Sequence, residues 1–151
     1  MATGAIDLVD AEATEALGAT LAPLLRAGDV VTLSGGLGMG KTSFARGVLA
    51  ALGLPGEAPS PTFAIVQPYD PPEVTLPVLH VDLYRIEDAA ELEELGLDDA
   101  LHDSALLVEW PERAGARWPH ALALAFAAAP GGGRRLTWTA PAAWEARWRP
   151  T

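Results

Sequence analysis

No cysteine occurs in the chain, which excludes disulfides, a thiolate zinc site and a cysteine nucleophile. Asparagine is absent too, and lysine occurs once, at Lys41. The other nine bases are arginine and alanine is abundant, a pattern of GC-rich coding against which the single lysine stands out. Long apolar runs are lacking: the longest, Ala121 to Ala129, falls well short of the ~20 residues a membrane helix needs. Met1–Gly4 shows no basic start followed by an apolar stretch, so no signal peptide is expected, and the expected location is the cytoplasm, away from membranes. Basic charge is scarce as well. With 20 acids against 10 Lys and Arg, the net charge of −10 argues against a protein that coats DNA or an anionic membrane. What remains is a chain of 151 residues, half of them apolar and a fifth charged. That length suits one domain over residues 1–151, burying roughly 70% of its unfolded surface.

Hydrophobic patterning predicts an alternation of strands and helices. Ile6 to Val9 reads as a short strand, and Asp10 as the N-cap of a helix reaching about Arg26, with Leu17, Leu21, Leu24 and Leu25 on one face. Val30-Val31-Thr32-Leu33 reads as a buried strand, Ser34 to Gly40 as a glycine-rich loop, and Lys41 to about Leu52 as a helix. Thr62–Tyr69, Val78–Leu83 and Ala105–Val108 are further strand candidates. Asp88 with Glu91 forms a capping box that opens a short helix. Alternating apolar residues on either side of Pro130-Gly131-Gly132-Gly133 predict an antiparallel hairpin, and Pro141 to Trp148 a closing helix. The expected fold is α/β: a P-loop NTPase-type sheet flanked by helices, with a C-terminal antiparallel hairpin.

The strongest chemical signal is Gly35-Gly36-Leu37-Gly38-Met39-Gly40-Lys41-Thr42, which satisfies G-x-x-x-x-G-K-[ST] between a strand and a helix. Glycines there let successive N–H groups turn inward as an anion nest, and the following helix N-terminus adds positive field. Lys41 is placed to reach the β- and γ-phosphates of a nucleotide, and the Thr42 hydroxyl to ligate Mg2+. The only lysine in the chain thus falls where an ammonium is required.

A phosphate loop needs a carboxylate near the metal, at the end of a neighbouring apolar strand. Asp82 ends Val78-Leu79-His80-Val81, and Glu109 ends Ala105-Leu106-Leu107-Val108. One can hold Mg2+ while the other orients the attacking water, and the sequence does not allocate the two roles. With a single lysine there is no N/T-K-x-D guanine reader, which argues against a small GTPase. A metabolite kinase usually carries an arginine-rich lid, whereas residues 47–112 hold one arginine, Arg85. His80, His102 and His120 are scattered and read as structural.

Together, the phosphate loop, Ser60-Pro61-Thr62-Phe63, His80-Val81-Asp82-Leu83-Tyr84-Arg85 and Val108-Glu109-Trp110-Pro111 resemble, in order and spacing, the bacterial TsaE family of P-loop ATPases over nearly the whole chain. The resemblance implies a Mg2+-dependent ATPase, weak alone, required to form N6-threonylcarbamoyladenosine beside the tRNA anticodon. Its implied partner is the TsaD–TsaB pair, through which it meets tRNA indirectly, while TsaC supplies the threonylcarbamoyl adenylate; no direct DNA binding is expected. By the same resemblance Lys41, Asp82 and Glu109 are catalytic. Leu37, Gly38, Met39, Gly40, Lys41 and Thr42 hold ATP, and Thr42 and Glu109 hold the metal. Thr62 matches a switch-like threonine near the γ-phosphate, Trp110 the tryptophan beside the nucleotide, and Thr14 and Arg134 positions near the base or ribose. The chain departs from the family at Gly36, where an acid is usual, and at Ser43, where threonine is common. The alternatives are a small-molecule P-loop kinase and a nucleotide sensor that never hydrolyses.

Charge is divided unevenly. Residues 1–112 hold 19 acids and 4 bases, a net of −15, and residues 113–151 hold 1 acid and 6 bases, a net of +5. A basic partner surface is expected to be attracted to the first part.

Overall fold

The computed structural model describes residues 1–56, 58–59 and 65–150. Among the described residues seven strands form one sheet: β1 (Ala2–Leu8), β2 (Val30–Ser34), β3 (Val66–Tyr69), β4 (Val78–Asp82), β5 (Ala105–Glu109), β6 (Leu122–Ala128) and β7 (Arg134–Ala140). Their order is β1-β7-β6-β2-β5-β4-β3. The central strands β6, β2, β5 and β4 are parallel; on one side β7 pairs antiparallel with β6 and β1 antiparallel with β7, and on the other β3 pairs antiparallel with β4. The expected α/β sheet with a C-terminal hairpin is therefore present, with β6 and β7 in register at Phe126 and Leu136.

Successive side chains in a strand point to opposite faces, and here both faces are covered. In β5, Ala105 and Leu107 join Val31 and Leu33 in a core shared with Leu21 of α1 (Ala11–Leu21) and Phe44 and Val48 of α2 (Lys41–Ala51). Leu106 and Val108 face the other way, joining Val30 with Leu92 of α3 (Ala89–Glu94) and Leu97 of α4 (Leu97–Ala100). Each fully buried leucine or valine contributes about 1.5–3 kcal/mol, which explains the unbroken apolar runs of the central strands.

α1 starts where expected. The Asp10 side chain accepts from Ala13 N at 2.8 Å, a cap worth about 1 kcal/mol. It ends earlier than the pattern predicts, at Leu21 rather than near Arg26. Pro23 has no N–H to continue the ladder, and a 3-10 turn, Ala22–Leu24, takes over. α1 and α2 then cross at near-backbone contact: a Cβ on Gly18 would lie 2.2 Å from the Phe44 carbonyl oxygen, and one on Gly47 2.0 Å from that of Glu15.

Three other segments differ from expectation. β1 begins at Ala2 rather than Ile6, because β7 pairs with it along its whole length, from Ala2 with Ala140 to Leu8 with Arg134. Of the strand expected over residues 62–69, Val66–Tyr69 is strand; Ile65, at φ 64°, precedes it with its carbonyl accepting from the Asp82 N–H at 2.7 Å, and residues 62–64 lie outside the described residues. The closing helix is only α5 (Ala142–Glu145). Tertiary contacts hold that end instead: Trp144 and Trp148 are buried in the first core, and Arg147 donates to both Asp29 oxygens at 2.8 and 3.0 Å and to the Leu24 carbonyl at 2.7 Å. Among the described residues no helix is long and apolar enough to cross a membrane.

Candidate functional site

The loop between β2 and α2 opens at the carboxyl end of the parallel strands, where α/β sheets present ligand-facing residues. Gly40, at φ 108°, is the residue before α2 and lets the backbone enter the helix with its first N–H groups turned outward. A cleft of about 560 Å³ lies above this turn. Thr14, Leu37, Gly38, Met39, Gly40, Lys41, Thr42, Asp82, Glu109, Trp110 and Arg134 all line it, so the structure brings together every site residue anticipated from sequence except Thr62. Thr62 lies outside the described residues.

β4 and β5 pair in parallel with Asp82 opposite Glu109, and β2 pairs Leu33 with Glu109. The two acids consequently end adjacent strands at the same level, directly beneath the phosphate loop. Both are almost fully buried, at 5% and 3% exposure. Thr42 Oγ1 donates to Glu109, 3.2 Å from Oε1 and 3.3 Å from Oε2. Asp82 Oδ1 accepts from the Tyr84 N–H at 2.9 Å, which holds its carboxylate at the strand end.

Lys41 is 5% exposed. Its Nζ donates to the Gly35 carbonyl at 2.7 Å and sits 3.6 Å from the centre of the Trp110 ring. Burial lowers its pKa below the ordinary lysine range, and the nearby carboxylates of Glu109, Glu112 and Asp82 act against that shift. Trp110 takes a left-handed backbone conformation, φ 60° and ψ 51°, uncommon for a bulky residue. Its ring packs on Tyr84 with centroids 4.9 Å apart. On the far wall Arg134 donates from Nη2 to the Gly38 carbonyl at 3.1 Å and from Nη1 to that of Gly133 at 2.9 Å, tying β7 to the phosphate loop. Thr14 is buried and its hydroxyl donates to the Asp10 carbonyl at 3.2 Å. Arg46, on α2, points elsewhere, donating to the Ala58 carbonyl at 2.7 Å.

Sequence reasoning missed one group here. His80, read as structural, is fully buried with Nε2 2.6 Å from Glu109 Oε2. Strand parity carried the signal: His80 and Asp82 are two apart on β4 and share a face. Tyr84 and Arg85 also line the cleft.

The donor set is a hydroxyl and two carboxylates, all hard oxygens, which fits Mg2+ and does not fit a soft metal. Among the described residues no group of three or more His, Asp or Glu side chains forms a self-sufficient metal cage. Mg2+ needs no such cage, because it commonly keeps several waters and takes oxygens from phosphate.

The sequence profile described as "Threonylcarbamoyl adenosine biosynthesis protein TsaE" matches residues 8–135. The chain is 48% identical over 97 residues to the tRNA threonylcarbamoyladenosine biosynthesis protein TsaE of Streptomyces coelicolor, covering 64% of this chain and 66% of that one. It is 44% identical over 103 residues to the Bacillus subtilis protein of the same name, covering 68% and 63%. The match thus spans just under two thirds of the length of these two relatives. Among solved structures, that of YdiB from Bacillus subtilis is similar, with a TM-score of 0.76 and 31% identity over 92% of this chain and 86% of the other.

Proposed function

The chain belongs to the TsaE family of tRNA threonylcarbamoyladenosine biosynthesis proteins, and from that premise we propose that it binds and hydrolyses ATP with Mg2+ in the cytoplasm, as a subunit working with the TsaD–TsaB pair to place the N6-threonylcarbamoyl group on the adenosine beside the tRNA anticodon. The observation that carries this reading is the hydrogen bond between Thr42, at the head of α2, and Glu109, at the end of β5. It joins the phosphate loop to an acid pair in one cleft.

In this reading the loop N–H groups and the head of α2 receive the phosphates. Lys41 exchanges the Gly35 carbonyl and the Trp110 face for phosphate oxygens. Thr42 and Glu109 would hold the metal, and Asp82, fixed by the Tyr84 N–H, would accept a hydrogen bond from the attacking water. Mg2+, when bound, supplies charge neutralisation at the β- and γ-phosphates. Trp110, Thr14 and Arg134 form the walls that orient the nucleoside and steady the loop.

The isolated chain is a slow enzyme in this proposal. Efficient hydrolysis in P-loop proteins draws on a cation at the γ-phosphate beyond the loop lysine, worth about 10³–10⁵ in rate. Of the arginines around the site, Arg46 points away, Arg134 already serves two backbone carbonyls, and Arg85, which lines the cleft, has an interaction partner of its own. The TsaD–TsaB pair completes or controls the site.

ATP binding and turnover, measured with and without that pair, test the reading. ATP binds the chain alone, turns over slowly, and turns over faster with the pair. Binding without hydrolysis under every condition would instead indicate a nucleotide sensor. Turnover that required a small acceptor molecule and no protein would indicate a kinase.

A further inference from the structure

His80 is a buried titratable side chain that the mechanism above does not use, pressed against an acid that it does use. Its side chain is 0% exposed and that of Glu109 4%, with 2.6 Å between Nε2 and Oε2. The contact follows from strand register. β4 and β5 pair His80 with Leu107 and Asp82 with Glu109, so His80 stands one step behind Asp82 on the same face, within reach of the carboxylate one step ahead on β5. Glu109 thereby receives Thr42 Oγ1 on the cleft side and His80 Nε2 on the core side.

We propose that His80 is a positioning residue for Glu109: its Nε2–H donates to Oε2 and holds the carboxylate in the rotamer that faces Thr42. A glutamate has three rotatable bonds, and a carboxylate that ligates a metal only when ordered binds it less well than one already in place. A histidine donating from the core fixes that orientation without touching nucleotide or metal, as outer partners of metal-binding carboxylates do elsewhere. The tautomer follows from the surroundings. His80 Nδ1 is buried with no hydrogen-bond partner among the described residues, so a proton there would be an N–H without an acceptor. The imidazole carries its proton on Nε2, toward Glu109. This inference rests on the reading that the cleft binds Mg-nucleotide.

Three measurements on the full chain test it. Long-range 1H–15N spectra of the nucleotide-free protein are expected to show His80 protonated at Nε2 and bare at Nδ1, with both signals moving in Glu109→Gln. An unprotonated Nε2 overturns the proposal. His80→Leu roughly preserves volume and removes the donor, whereas His80→Gln restores an N–H near the Nε2 position. Titration with a non-hydrolysable ATP analogue in EDTA should give similar affinities for both variants and the parent. Adding Mg2+ should strengthen binding in the parent and in His80→Gln, while the gain in His80→Leu is smaller by about 10–100-fold. A merely structural histidine would lower the melting temperature of both variants and leave the Mg2+ gain intact, which also overturns the proposal. Should His80→Leu fail to fold, His80→Gln and the spectra of the parent decide it. A parent that shows no Mg2+-dependent nucleotide binding removes the proposed function, while the spectra still report separately whether His80 holds Glu109.

Discussion

The Lys41 ammonium donates to the Gly35 carbonyl at 2.7 Å while resting 3.6 Å from the centre of the Trp110 ring. The only lysine of the chain is therefore held, almost fully buried, between its own loop and an aromatic face. A phosphate that takes over this ammonium competes with one backbone acceptor and one π face. Because burial already disfavours the charge, an anionic partner gains from a site with little water to screen it.

Lys41→Ala and Thr42→Ala are expected to weaken Mg-ATP function by different routes. Removing the ammonium deletes charge-assisted hydrogen bonds of about 1.5–3 kcal/mol, or roughly 10–100-fold in affinity, whichever divalent ion is present. Removing the hydroxyl deletes a metal oxygen, and raised Mg2+ or Mn2+ recovers part of the loss. Calorimetric titration across metal concentrations checks this; parent-like affinity and turnover in both variants would refute it.

Asp82 and Glu109 sit side by side, yet their substitutions should separate. Glu109→Ala removes the partner of Thr42 and should abolish most turnover together with the Mg2+ dependence of binding. Asp82→Asn should leave ATP bound and slow its hydrolysis by about 10²–10⁴-fold, the usual range for a lost general base. Single-turnover assays beside binding measurements decide it. Lost binding in Asp82→Asn with normal turnover in Glu109→Ala would reverse the two roles.

Gly47→Ala tests the crossing of α1 and α2. Its new Cβ would meet the Glu15 carbonyl oxygen at 2.0 Å and carbon at 2.7 Å, both backbone atoms that cannot swing aside. A cost of about 1–3 kcal/mol is expected, lowering the melting temperature by roughly 2–4 °C per kcal/mol. Gly36→Ala is the control: its Cβ would find the Met39 Cγ at 3.8 Å, an ordinary contact, and its stability should stay within about 0.5 kcal/mol of the parent. Equal melting temperatures for Gly47→Ala and the parent would show that the helices can part without loss.

Stimulation by the TsaD–TsaB pair should shrink as salt rises. Residues 1–112 carry a net of −15, and attraction between exposed charges is screened over about 8–10 Å at ordinary ionic strength. Turnover rates from low to high salt, with and without the pair, measure this. A stimulation that did not change with salt would mean that the acidic stretch, residues 1–112, takes no part in docking.

The phosphate loop, its flanking strand and helix, and the two strand-end acids were legible in the linear chain, because each depends on local chemistry. Glycines permit the turn around Gly40, apolar alternation marks the strands, and a carboxylate ending an apolar run has few roles inside a sheet. The Asp10 cap and the hairpin turn were readable for the same reason. Where packing overrode local preference, the pattern misled. Ala2–Ala5 carries no strand signal and is strand because β7 lies beside it, while the chain end near Trp148 is held by Arg147 on Asp29 rather than by helix hydrogen bonds. The reach of α1 was overestimated because the pattern of leucines continued past Pro23, which cannot donate the bond that the pattern assumed. His80 was invisible as a site residue for a different reason. Strand parity places it on the Asp82 face, but its contact with Glu109 depends on the register of β4 against β5, a relation between residues 29 positions apart. The sequence by itself determined which groups could meet a phosphate; only the folded sheet decided that Thr42, Glu109 and His80 would lie in one line of hydrogen bonds, because parallel pairing, not chain proximity, sets which strand ends are neighbours.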